Sequence, residues 1–172
     1  VICCGTQPCP SVQEEVSKSL FLFEKGESVN VRILTQSGKM LSRVLSDNSQ
    51  LPEFVAELDS EPDAAAIYVQ LQVLDTATLA DVHDGQGVKR HHVAAYRWFV
   101  VDVDTHRPAK SKSNATEAEK VNSLQVAMAA SSYLQTHDWP PPILCDSGNG
   151  WHLVWKIDLE NSLEHYQMLR SC

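Results

Sequence analysis

Hydrophobic and polar positions change period along this chain, and the changes mark its elements. In residues 11–24, Val12, Val16 and Leu20 recur at helical spacing behind Ser11 and Glu14, a capping-box pair, so a helix is expected there. Residues 29–35 and 39–45 are short runs rich in β-branched residues, separated by Gln36, Ser37 and Gly38, which predicts a hairpin. Pro52 suits the first turn of a short helix over residues 51–58. Residues 66–74 (AIYVQLQVL) alternate as one strand, and 75–89 read as a loop with room for one helical turn at 76–82.

Residues 97–103 (RWFVVDV) form an apolar run too short for a buried helix, hence a central strand that ends in charge. Thr116 and Glu119 form a second capping box, opening the longest helix, expected to run to about His137 before Pro140, Pro141 and Pro142 reset the chain. Residues 143–146 and 151–157 then read as strands joined by Ser147, Gly148, Asn149 and Gly150, a turn of the Asn-Gly type. A last helix is expected over residues 159–170, with Asp158 as its N-cap. The pattern predicts an α+β fold: an open sheet like that of an RNA-recognition motif, helices on one side, and a smaller N-terminal α/β unit. The expected division is 1–90 and 91–172, with no repeat and no low-complexity tract.

Composition modifies this picture in one respect. The 172 residues, 43% of them hydrophobic, suffice for a core and argue against disorder. Fourteen Lys and Arg against 22 Asp and Glu leave a net charge of −8, which argues against a generic cationic DNA coat. The charges are unevenly placed, however. Between Arg43 and Lys89 there is no basic residue and nine acids, whereas Lys89, Arg90, Arg97, Arg107, Lys110 and Lys112 face only Asp102 and Asp104, a local balance of +4 where a polyanion could dock.

No apolar run approaches a membrane span and no signal peptide precedes the first helix, so a soluble intracellular protein is expected. Five cysteines without a regular framework suit a reducing compartment. Cys3, Cys4 and Cys9 lack a fourth ligand and the Cys-x-x-Cys spacing of a zinc site, and Cys145 reads as a small core residue. A start at Val1 and a stop at Cys172, directly after a helical stretch, suggest a piece of a longer protein.

Two short stretches carry chemistry. Asp102 and Asp104 flank Val103 at a strand end, where period-two geometry puts both carboxylates on one face. Two adjacent buried carboxylates need raised pKa values or a bound cation, and Mg²⁺ or Mn²⁺, which prefer oxygen ligands, is the simpler solution. Taken alone, Asp-x-Asp is only a polar strand end. The second stretch is Asp146-Ser147-Gly148-Asn149-Gly150-Trp151-His152. Gly148 and Gly150 would let backbone N–H groups approach an anion, Ser147 offers a hydroxyl, and His152 an imidazole donor to a phosphate oxygen. Taken alone, this is a hairpin turn followed by a strand histidine; one helix downstream of the acidic strand end, it reads as a triphosphate cradle beside a metal site.

In order and spacing, WFVVDVDTHRP (98–108), TEAEK (116–120) and DSGNGWHLVWKI (146–157) resemble the archaeo-eukaryotic primase superfamily, in particular phage- and plasmid-type primase-polymerase domains. The resemblance covers about 60 residues, with weaker similarity in the strand at 66–74 and the loop after it. It implies that Asp102 and Asp104 are the first metal-binding motif and that Ser147 and His152 belong to a second motif touching the incoming nucleotide's phosphates. A third acidic motif would lie beyond Cys172. The implied reaction is template-directed transfer from an NTP or dNTP to a 3′-hydroxyl, with Mg²⁺ or Mn²⁺ as cofactor and single-stranded DNA or a primer-template as partner. A helicase or accessory domain would follow, and the setting would be the cytoplasm of a prokaryotic host.

On this reading Asp102, Asp104 and His152 are the catalytic candidates. The loop Ser147–Gly148–Asn149–Gly150, with Arg107 and Lys110, would bind nucleotide, and Lys89, Arg90 and Lys112 would bind nucleic acid. Trp98, Trp151 and Trp155 are expected mainly in the core. Two other readings stay open. A nuclease or rolling-circle initiator would need alternating histidines and a helical tyrosine; His91 and His92 are adjacent, though Tyr133 and Tyr166 lie on expected helices. A non-catalytic RNA-recognition-like module would need aromatic residues displayed on the open sheet face.

Overall fold

The Ser11 hydroxyl accepts from the Glu14 N–H while the Glu14 carboxylate accepts from the Ser11 N–H, and this reciprocal cap starts the first helix, α1 (Val12–Ser19). A computed structural model describes residues 11–79, 82, 86–106 and 114–171. Helix α1 tightens into a 3₁₀ turn at Leu20–Leu22 instead of continuing to residue 24. The hydroxyls of Ser17 and Ser19 turn back onto the carbonyls of Gln13 and Val16, a bond that competes with regular helix.

The expected hairpin forms as β1 (Val29–Thr35) and β2 (Met40–Leu45), antiparallel from Val29 opposite Leu45 to Leu34 opposite Met40. Gly38, at φ 82, supplies the left-handed residue of its turn. Helix α2 (Leu51–Asp59) follows, with proline in its first turn. Val29 and Val31 from one face of β1 meet Leu51 and Val55 in a buried cluster, which Val16, Phe23 and Leu58 help to close.

The single strand expected at 66–74 is two strands. β3 (Ala64–Val69) pairs antiparallel with β1, and β4 (Val73–Leu74) pairs antiparallel with β5 (Val93–Asp104). The break falls at Gln70–Leu71–Gln72, because the Gln70 N–H still donates to β1 at the Asn30 carbonyl whereas the Gln72 side chain accepts from the Arg97 N–H of β5. Gln70 and Gln72, two residues apart, are thus tied to different sheets.

Helix α3 (Glu117–Gln135) opens on the Thr116–Glu119 capping box. β6 (Ile143–Asp146) and β7 (Gly150–Glu160) form the second hairpin, and α4 (Leu163–Ser171) closes the described chain. The last strand runs three residues beyond Ile157, so Asp158 is not a helix cap. It lies within β7 at φ 49, a left-handed conformation that Asp tolerates better than most residues. Ser162 does the capping instead, its hydroxyl accepting from the His165 N–H.

The class is α+β, with two antiparallel sheets in the orders β2-β1-β3 and β4-β5-β7-β6. The described residues divide into two compact units: one takes those within Trp98–Ile157, the other those up to Arg97 together with those from Asp158 onward. In the first, Ala127 of α3 meets Leu153 and Trp155 of β7, with Phe99, Val101 and Val103 of β5 packed around them. Trp139, Trp155 and Phe99 form an aromatic group, the two indoles edge to face at 5.6 Å, and the Trp155 N–H donates to the Pro140 carbonyl. In the second, Arg97 is buried against the Glu27 carboxylate, two guanidinium nitrogens at 2.6 Å from its two oxygens. No helix among the described residues is long and apolar enough to cross a membrane.

Candidate functional site

Because Phe99, Val101 and Val103 turn toward α3, period-two geometry turns Val100, Asp102 and Asp104 the other way, where all three are exposed. The carboxylates are separated by two residues of strand rise, roughly 6.6 Å. β7 lies beside β5 and carries His152 to the same place, with Nε2 at 3.4 Å from the Asp102 Oδ1. Asp102, Asp104 and His152 therefore share one exposed sheet face. The Asp104 carboxylate has neither a hydrogen bond nor an ion pair among the described residues. Cys145 stands directly across from His152 in the β6–β7 register; it is half-buried rather than enclosed, and burial pushes its thiol pKa up, favouring the neutral form.

The loop from Asp146 to Gly150 is held from several sides. The Asp146 Oδ1 accepts from the Gly148 N–H at 2.7 Å, the Ser147 N–H donates to the Gly150 carbonyl at 3.0 Å, and Gly148 sits at φ 87. The Asn149 Oδ1 accepts from the Ala115 N–H, joining the loop to the approach of α3. Gly150 has a separate reason to be glycine. A Cβ there would overlap the Val103 carbonyl oxygen and come within 3.1 Å of the Asp104 Cα, so the missing side chain lets the loop end lie against the acidic strand end. The Gly148 N–H is already bonded within the loop, whereas the Ser147 hydroxyl and the His152 ring are candidate donors toward an anion.

One residue that sequence reasoning passed over organises this loop. Lys120, on the sheet-facing side of α3, is 6% exposed and donates from Nζ to the Asp146 Oδ2 at 2.6 Å, while its carbonyl accepts from the Trp151 indole N–H. Burial acts to raise the Asp146 pKa, but the Lys120 bond, the Gly148 N–H and the Lys120 charge outweigh it and hold the carboxyl below its ordinary value. The signal was available: Lys120 shares a helical stripe with buried Ser123, Ala127 and Ser131, where a lysine must find a carboxylate.

The other expected site residues fall elsewhere. Arg107, Lys110 and Lys112 lie outside the described residues, as do Cys3, Cys4 and Cys9. Lys89 and Arg90 belong to the other unit, at the 3₁₀ turn Arg90–His92, and line a cavity there. His91 and His92 stack edge to face at 3.9 Å.

The chain has no match among family models, curated proteins or solved structures. The site is therefore read from its own geometry. Among the described residues no group of three His, Cys, Asp or Glu side chains is placed to hold a metal ion. Two exposed carboxylates on one face still suit Mg²⁺ or Mn²⁺ chemically, because such ions commonly take one or two protein carboxylates and complete their shell with water and substrate phosphates.

Proposed function

We propose that the Trp98–Ile157 unit is the nucleotide site of a primase-polymerase, carrying out template-directed nucleotidyl transfer from an NTP or dNTP to a 3′-hydroxyl. The observation that carries this reading is the meeting of Asp102, Asp104 and His152 on one exposed face, with His152 3.4 Å from Asp102 and the Ser147 loop immediately before it. The motif resemblance supports it by order and spacing. The face carries two carboxylates and an imidazole where an RNA-recognition-like module would display aromatic rings, while Trp98 and Trp155 are buried.

Each side chain has a role on this reading. Asp102 and Asp104 would hold the divalent ion, which when bound supplies charge neutralisation to the triphosphate and a lowered pKa to the attacking hydroxyl. His152 donates from its ring to a phosphate oxygen, with Asp102 orienting the ring, and Ser147 adds a hydroxyl donor. The Lys120–Asp146 pair keeps the loop in register with the acidic strand end, a positioning role. In the reaction the 3′-oxygen forms a bond to the α-phosphorus, the bond to the β-phosphate oxygen breaks, pyrophosphate leaves, and the hydroxyl proton passes to solvent. The biological setting we infer is replication of a phage, plasmid or mobile element, beside a helicase or accessory domain.

Template-dependent incorporation of labelled NTP and dNTP by the full protein tests the reading, with His152→Ala beside the wild type. Product from the wild type and little from the variant is expected. No product from the wild type, or an equally active variant, would contradict it.

A further inference from the structure

Helix α3 turns Lys120, Ser123, Ala127 and Ser131 inward, and a helix of that kind should be charged on its opposite side. This one is not. From Val121 to Gln135 it contains no Asp, Glu, Lys or Arg, although 21% of the whole chain is charged and fifteen residues would ordinarily carry about three. Val121, Val126, Met128 and Tyr133 are each more than half exposed on that outer side. A single exposed apolar residue needs no explanation, but four along one helix with no charge between them mark a contact surface. The Tyr133 ring is already held edge to face against His137, 4.7 Å between centres, so it has little side-chain freedom left to lose on contact.

The spacing along this side indicates what covers it. Asn122, Val126, Ala129 and Tyr133 are all exposed and follow one another at intervals of four, three and four, the seam spacing of paired helices. That series reads the same in both directions. A second copy laid antiparallel, with a two-fold axis midway between Val126 and Ala129, sets Val126 of each helix beside Ala129 of the other and Asn122 beside Tyr133. The larger side chain then meets the small one, and the tyrosine hydroxyl meets an amide that can donate or accept. Gln125 and Ser132 flank the seam and are uncharged, so the two helices bring no like charges together. Electrostatics selects the same side: each copy has a net charge of −8, and repulsion between copies is least where they meet through side chains without charge.

We propose that the outer face of α3 is a self-association surface, through which two copies of this chain pair as antiparallel helices. A helix of a different protein would have no need of a seam that is its own reverse. The 19 residues of α3 span about 28 Å, so one helix pair buries less than the roughly 800 Å² per partner of a standard interface. The dimer is accordingly weak, dissociating in the micromolar range. It uses none of Asp102, Asp104 or His152. Lys120, which holds the Asp146 loop, lies on the other side of the helix, so self-association and nucleotide chemistry can be altered separately.

Sedimentation equilibrium of the full chain, from about 2 to about 200 µM, provides the test. The wild type should pass from one chain toward two across that range. Val126→Glu should remain a single chain throughout. Ala129→Val, which fills the gap facing Val126 without adding charge, should raise the dissociation constant about tenfold or more. Tyr68→Glu, which places a charge on an exposed ring of β3 instead, should associate as the wild type does. All three positions are exposed, and unchanged melting temperatures would show that each variant is folded. A wild type that stays a single chain at every concentration, association of Val126→Glu or Ala129→Val equal to that of the wild type, or an equal loss in Tyr68→Glu would overturn the proposal.

Discussion

The two faces of the sheet around β5 and β7 treat their carboxylates in opposite ways. On the α3 side, Asp146 meets a buried lysine and a backbone N–H, all within 2.7 Å. On the other side, Asp102 and Asp104 are exposed, with the His152 ring 3.4 Å from Asp102. A carboxylate already satisfied by the protein is a structural part. Carboxylates left facing outward are hydrated when nothing is bound, and with a donor-bearing loop beside them they are accessible to a ligand.

The largest expected effect breaks the outward face. Asp102→Ala or Asp104→Ala should cut nucleotide incorporation by about 100-fold or more, as loss of a transition-state electrostatic group does. Urea unfolding of the same variants should show stability within about 0.5 kcal/mol of the wild type, as for exposed positions. Next in size is the inward face. Asp146→Ala leaves the Lys120 ammonium buried without its partner and should cost about 3 kcal/mol in the same unfolding measurement. A cost under about 1 kcal/mol would mean that the pair does not hold the loop.

A smaller loss, about 1–3 kcal/mol, is expected for Gly150→Ala, whose methyl must displace the Val103 carbonyl. Incorporation should fall with it, because the displaced backbone carries Asp104. The smallest effect is in pH. The Asp146 carboxyl is held below its ordinary 3.8 and the Glu27 carboxyl below its ordinary 4.5, so just below those values the unfolded chain binds more protons than the folded one. Their stabilisation should be full above roughly pH 5 and be lost as the pH falls further, and Asp146→Asn should flatten that acid slope in urea titrations.

Much of the contrast between the faces was legible in the chain. Capping boxes at Ser11 and Thr116, the Gly38 turn, and the apolar alternation of 99–103 all express local rules that the tertiary structure keeps, whereas the β6–β7 turn takes its left-handed residue at Gly148 instead of at Asn149 and Gly150. The juxtaposition of His152 with Asp102 was legible only through motif order, since strand adjacency is not a local property. Three features were hidden for physical reasons. The break at Gln70–Leu71–Gln72 depends on a side chain standing in for a backbone partner at Arg97. The extension of β7 to Glu160 turns on IDLE, which satisfies a strand and a helix start equally well. Lys120 was hidden because a charged residue on a helix reads as solvent-facing until the buried stripe it belongs to is traced.

The central claim, that the outward carboxylates form a divalent-cation site, is tested most directly by titrating the full chain with Mn²⁺ and following its melting temperature. The account predicts a saturable rise in the wild type, about 5 °C or more at a hundredfold excess over Kd, and none when Asp102 and Asp104 are both replaced by alanine. No rise in the wild type, or the same rise in the double variant, would contradict it.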